Sequence, residues 1–149
     1  MSWRLLCIAM LAMVAVHGRA AAAAWADNKT VKVEQEWKGG SDEEKDNDAW
    51  KQQPKDGFIA GPKAWEELWK AWHFAKELPK VDFEKELILV VACEGPNSIR
   101  IEELKLNDKG SLRFDWSHTD KAGPGFRYLM QRISRNGIKT VGGKEIPKE

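Results

Sequence analysis

The chain has 149 residues, enough for one domain of ordinary size, and its 24 Lys and Arg against 23 Asp and Glu give a formal charge of +1. Lys and Glu are interspersed, so there is no basic stripe to hold nucleic acid or an anionic membrane surface. Those two partner classes are set aside on charge alone.

Residues 1–26 read as a targeting segment. "MSWR" is a short basic start, "LLCIAMLAMVAV" (Leu5 to Val16) is twelve apolar residues without a break, and "HGRAAAAAWA" supplies small residues with several A-x-A choices. Together they describe a secretory signal peptide. Twelve apolar residues are too few for a stable membrane span, which needs about 20. Cleavage is expected after Ala26, leaving Asp27 first, with Ala22 to Ala24 as rival sites. Cys7 lies inside the apolar run, which does not fit a lipoprotein anchor. The mature chain keeps 22 basic and 23 acidic residues, formally −1, and a single thiol, Cys93. An exported chain with one cysteine has no intramolecular disulfide, so its fold must rest on its core.

"VKVEQEW" (Val31 to Trp37) alternates like a half-buried strand. Lys38 to Gly57 is polar, rich in Gly and Asp and without period, and reads as a solvated loop. Its acidic "DEEKDND" fails as a calcium loop: counted from Asp42, Asn47 and Gln53 stand where a glycine and a glutamate are needed. After a short "FIA" strand, Gly61-Pro62 opens a helix that Pro79 ends. Trp65, Leu68, Trp69, Trp72 and Ala75 recur at helical spacing as one apolar stripe. Enclosing three indoles removes roughly 450–750 Å² from water, an upper bound of about 11–19 kcal/mol. A small domain cannot leave that much apolar surface exposed. The stripe is therefore expected to be core rather than a stacking platform.

"ELILVVAC" (Glu86 to Cys93) is apolar on both faces and reads as a central strand covered on both sides. "SIRIEELKL" slips phase between Ile101 and Leu104, which predicts a bulge near Glu102 and Glu103. "NDKG" is a hairpin turn, and "SLRFDWSH" and "FRYLMQRIS" are further strands. "IKTV", the turn "GGK" and "EI" follow, and the tail "PKE" is expected to fray. The fold class is α+β, with one main helix packed on an antiparallel twisted sheet of about five strands in meander order. Residues 27–57 form an N-terminal strand and polar acidic loop, 58–146 the α+β domain and 147–149 the tail. The predicted core holds Trp65, Leu68, Trp69, Trp72, Phe83, Leu89, Val91 and Cys93.

No motif names a reaction. Cys93 with His73 or His118 and Asp115 could in principle make a nucleophilic set, but its apolar register predicts a buried, inert thiol. There is no H-x-x-x-H or C-x-x-C for zinc, no G-x-S-x-G and no phosphate loop, so neither metal nor cofactor is implied. The two Gly–Pro loops and their neighbours are the expected contact surface: Gly95, Pro96, Asn97 and Arg100, with Gly123, Pro124, Gly125, Arg127 and Tyr128. The bland alternative is that they are ordinary tight turns.

Trp65, Leu68, Trp69 and Trp72 spell "W-x-x-L-W-x-x-W", followed by "LPKVDFEKELILVV" (Leu78 to Val91), a glycine turn and an alternating strand. On these features the run from Phe58 to Ile101 resembles the PrcB-like family of exported bacterial domains. The chain also looks like a broader set of short exported bacterial proteins that share "GPN", "GPGF-x-Y" and "GIKTV-x-GK". The resemblance implies an exported, non-catalytic domain that associates with another exported protein, such as a protease or envelope complex. A small-ligand or glycan binder using aromatic residues, and a thiol enzyme built on Cys93, are the rival readings.

Overall fold

The architecture follows from one strand that has no polar face. In the computed structural model, which describes residues 28–72, 74 and 76–147, β4 (Glu86–Glu94) is buried at every position from Leu87 to Cys93. Before it in the chain come β1 (Lys29–Thr30), β2 (Val33–Ser41), β3 (Phe58–Ile59) and the ten-residue helix α1 (Pro62–Ala71). After it come β5 (Ile99–Leu106), β6 (Ser111–His118), β7 (Phe126–Ser134), β8 (Thr140–Val141) and β9 (Lys144–Glu145).

These strands form two sheets. The first is antiparallel throughout, in the order β2-β7-β4-β3; the second runs β1-β5-β6-β8-β9 and is antiparallel except for β6 with β8. Successive side chains of a strand point to opposite faces, and β4 uses both. Leu87 and Leu89 face the second sheet and pack with Leu104, Leu112 and Val141. Ile88, Val90 and Ala92 face the other way and pack with Trp65, Leu68 and Trp72 of the helical segment. The order is therefore helix and aromatics, first sheet, second sheet.

This corrects the expected single meander of about five strands. β4 does not pair with β5, and β6 does not pair with β7; β4 instead pairs along its whole length with β7, from Glu86–Ser134 to Glu94–Phe126. The reason lies in β4 itself. A strand apolar on both sides needs a layer on each, and the β5–β6 hairpin folds over to supply the second. The predicted bulge is present, as a register shift between Ile101 and Glu103. The "NDKG" turn is closed by Asn107, whose Oδ1 accepts from the backbone N–H of Lys109 and Ser111 at 3.1 and 2.8 Å.

Helix α1 opens at Pro62 as expected but ends at Ala71, short of the Pro79 stop. Phe74 turns back at the helix end to pack on Trp69, with ring centroids 4.3 Å apart, and on Tyr128 at 5.0 Å. That aromatic packing competes with another helical turn. Trp65, Leu68 and Trp72 are buried as expected, whereas Trp69 is only half-buried. Its Nε1 donates to the Lys76 carbonyl at 2.9 Å on the rim. Ala75 and His73 lie outside the described residues. Phe83, Leu89, Val91 and Cys93 are all buried.

The segment read as a solvated loop carries more structure than expected. β2 runs on to Ser41, and two short 3₁₀ turns follow, Glu44–Asp46 and Ala49–Gln52. Aromatic burial drives this ordering: the Trp72 indole donates to the Ala49 carbonyl at 2.8 Å, and Trp50 packs partly buried against the helix-side cluster. At the other end Arg135 donates to the Pro147 carbonyl at 2.6 Å, so the chain is tied down as far as Pro147. Residues 148 and 149, like residues 1–27, on which the targeting reading falls, lie outside the described residues. Among the described residues no helix is long and apolar enough to cross a membrane.

Leu89 is fully enclosed between the sheets. Leu89→Ala should cost about 2–5 kcal/mol, the range for a buried leucine whose site cannot collapse. A urea unfolding midpoint that barely moved would mean the two sheets are not packed on each other there.

Candidate functional site: an aromatic cleft beside paired Gly–Pro loops

The two Gly–Pro loops, distant in sequence, meet in space, and a buried asparagine joins them. Asn97 Nδ2 donates to the Glu94 carbonyl at 2.7 Å, while its Oδ1 accepts from the Lys121 N–H at 2.7 Å and the Thr119 hydroxyl at 3.0 Å. The Gly95 N–H donates to the Gly125 carbonyl at 2.8 Å. Gly125 has φ +87°, and a Cβ there would fall 1.8 Å from the Ser41 carbonyl oxygen. Only glycine lets the two backbones approach so closely. Three of the expected contact residues, Gly95, Asn97 and Gly125, are thus buried and cannot present themselves to a partner.

Others in that set are also engaged internally. Arg127 donates to the carbonyls of Ser41 and Phe126 at 2.9 and 3.0 Å and pairs with Asp42, pinning the end of β2. Tyr128 is half-buried against Trp72, with ring centroids 5.2 Å apart, and burial raises the pKa of its hydroxyl. Gly123 and Pro124 are exposed, Pro96 is partly so, and Arg100 stands exposed on β5 opposite Ser117. The loops are chiefly a brace between the sheets.

Among the described residues, no histidine or carboxylate side chain hydrogen-bonds Cys93. It is 5% exposed, and burial pushes its thiol pKa up, against a smaller lowering by the Arg127 charge. Asp115 pairs with Arg113 at 3.1 Å, and the His118 ring stacks on Trp116 at 5.6 Å. A thiol held neutral is a poor nucleophile.

An open cleft lies where the two sheets part. Leu112, Phe114 and Trp116 share one face of β6 and pass from buried to half-buried to exposed along the strand. Trp116, at 40%, is the exposed large hydrophobic side chain among the described residues. Trp50 lies across the opening on the Ala49–Gln52 turn, and the space of about 410 Å³ is bordered by Phe114 and by the β4 edge at Val90 and Val91.

That turn is held at both ends. The Trp72 indole bonds the Ala49 carbonyl at one end, and Gln53 clamps β4 at the other. Gln53 Oε1 accepts from the Ala92 N–H at 2.9 Å, and its Nε2 donates to the Ala92 carbonyl at 3.4 Å. Gly57, at φ +74°, lets the chain pass under Phe114, whose Cζ would lie 3.1 Å from an added Cβ. Lys51 Nζ sits 5.9 Å from the centroid of Trp50, within cation–π range. The result is a prepared aromatic surface rather than a chance opening.

Sequence reasoning missed this site. Trp50 stood in the segment read as a solvated loop, and Trp116 lay in the strand "SLRFDWSH" with no site role. A tryptophan in an otherwise polar, acidic run was the available signal, because an indole there must find apolar cover or a partner. Comparison with protein-family models, curated proteins and solved structures found no match to this chain. The PrcB-like resemblance therefore rests on the residues quoted for it.

Two outcomes check this assignment of roles. Native protein at neutral pH should leave Cys93 unlabelled by a disulfide-exchange reagent until denaturant is added, because the neutral thiol is enclosed; rapid native labelling would contradict it. Asn97→Ala should lower stability by about 1–3 kcal/mol by orphaning buried polar groups. Trp116→Ala should stay within about 0.5 kcal/mol, as for an exposed position. Equal losses in urea unfolding would erase the distinction between brace and contact surface.

Proposed function

We propose that this is an exported, non-catalytic accessory domain that binds another exported protein, with the Trp50–Trp116 cleft as its contact site. One observation carries the reading: a large indole, Trp116, is 40% exposed and lines one cleft with a second indole, Trp50, whose turn is pinned at both ends. A single exposed indole is ordinary, but Trp116 shares an open cleft with Trp50 and Phe114, and tryptophan is enriched where protein interfaces concentrate their binding energy. A pre-positioned aromatic also loses little conformational entropy on binding. Export is supported by the basic start, apolar run and small-residue exit of residues 1–26.

The glycan-binding alternative has less support at this cleft. Sugar hydroxyls need side-chain acceptors and donors around the stacking ring, and the one amide lining the cleft, Gln53, is already spent on Ala92. The thiol-enzyme alternative loses support from the enclosed, neutral Cys93.

The tagged chain, expressed with its N-terminal segment and recovered from envelope and medium, should co-purify with a defined exported protein identifiable by mass spectrometry. Trp116→Ala should weaken that association at least about tenfold, in the range of interface anchor residues. Pro124→Ala, on the exposed Gly–Pro loop, should leave it unchanged. Retention by Trp116→Ala together with loss by Pro124→Ala would move the contact surface to the loops.

A further inference from the structure

The lining of the cleft has a charge character that its neighbours lack. Lys51 and Lys55 border it, and no Asp or Glu is among its lining residues. Three other clefts each carry carboxylates: Glu103 and Asp115 in one, Glu43 and Asp46 in a second, and Asp56, Glu67 and Glu145 in a third. In a chain whose acidic and basic residues nearly balance, one aromatic cleft with only cations on its border is a distinct feature. Lys51 pairs outward with Asp48, whereas Lys55 is exposed and makes no ion pair among the described residues.

We infer that the cleft recognises an acidic segment of a protein partner, in which a carboxylate meets Lys55, beside the Asp48-paired Lys51, while an adjacent apolar side chain lies between Trp50 and Trp116. The inference rests on the reading of the cleft as a protein-contact site and specifies its occupant. Each part of the ligand answers a named feature. The indole faces and the half-buried Phe114 ring take an apolar group, and a carboxylate gains the Lys55 ammonium, which makes no ion pair among the described residues. A basic segment would bring like charge to the unpaired Lys55. A neutral saccharide would find no carboxylate in the lining to accept from its hydroxyls, and the one amide there, Gln53, already bonds Ala92. Border charges of this kind set the partner's sign and speed its arrival, and their contribution falls with salt.

The test uses a short synthetic peptide of Asp, Glu, Leu and Phe, its counterpart with Asn and Gln replacing the acids, and polygalacturonate as an acidic saccharide. Binding to the mature chain is measured by calorimetry. The acidic peptide should bind at least about tenfold more tightly than the amide counterpart, and Lys55→Glu and Trp116→Ala should each weaken it about tenfold. The advantage should shrink as salt rises from about 0.05 to about 0.5 M. Lys55→Gln, with an unchanged urea midpoint, guards against a folding effect and should give an intermediate loss.

Equal binding of the two peptides would overturn the acidic occupant. If Trp116→Ala still weakened both, the cleft would remain a protein-contact site. Tighter binding of polygalacturonate than of the acidic peptide would overturn the inference in favour of a saccharide. Failure of both peptides to bind at millimolar concentration would overturn it too; retention of the co-purified partner by Trp116→Ala would then remove the cleft reading itself.

Discussion

The structure depends on β4 being apolar on both of its faces. Leu87 and Leu89 need one cover, Ile88 and Val90 another, and no single helix or hairpin can supply both. The chain answers with two different layers. The aromatic helical segment covers one side, and the β5–β6 hairpin, with β8 beside it, covers the other. The loops around Asn97 then brace the passage from β4 to the second sheet against the return into β7.

The free edge of β4 is covered piecewise, and this is how the core leads to the site. β3 pairs at Ile88 and Leu89, the Gly57 carbonyl accepts from Val90 at 2.9 Å, and Gln53 takes over at Ala92. A side-chain amide thus stands in for a strand where β3 has ended, blunting an edge that would otherwise invite pairing with another chain. The same device fixes the turn that carries Trp50. The cleft forms where the sheet edge is closed, and the groups that close the edge also fix the turn carrying Trp50.

Local signals in the sequence were good guides to local structure. The 3.6-residue stripe marked Trp65, Leu68 and Trp72 as core, the phase slip at Ile101 marked the bulge, and "ELILVVAC" marked a strand buried on both sides. What alternation could not tell was pairing. Nothing in "VKVEQEW" says that β2 will lie along β7, with Glu36 opposite Gln131, because register across so long a separation is set by what the rest of the core leaves open. The step from one meander to two sheets was implicit in the two apolar faces of β4 but required asking what would cover the second. Trp50 and Trp116 were harder still: their meaning lies in a juxtaposition between a turn and a strand end far apart in the chain. The contact loops were read correctly as a place where the chain turns, but their buried asparagine and glycines serve the fold first.

Native-state hydrogen exchange tests the dependence on β4 most directly. The amides from Leu87 to Val91 should be among the slowest in the chain and open only with global unfolding. If they exchanged faster than those of β6 near Trp116, β4 would not be the doubly covered centre on which the two layers are built.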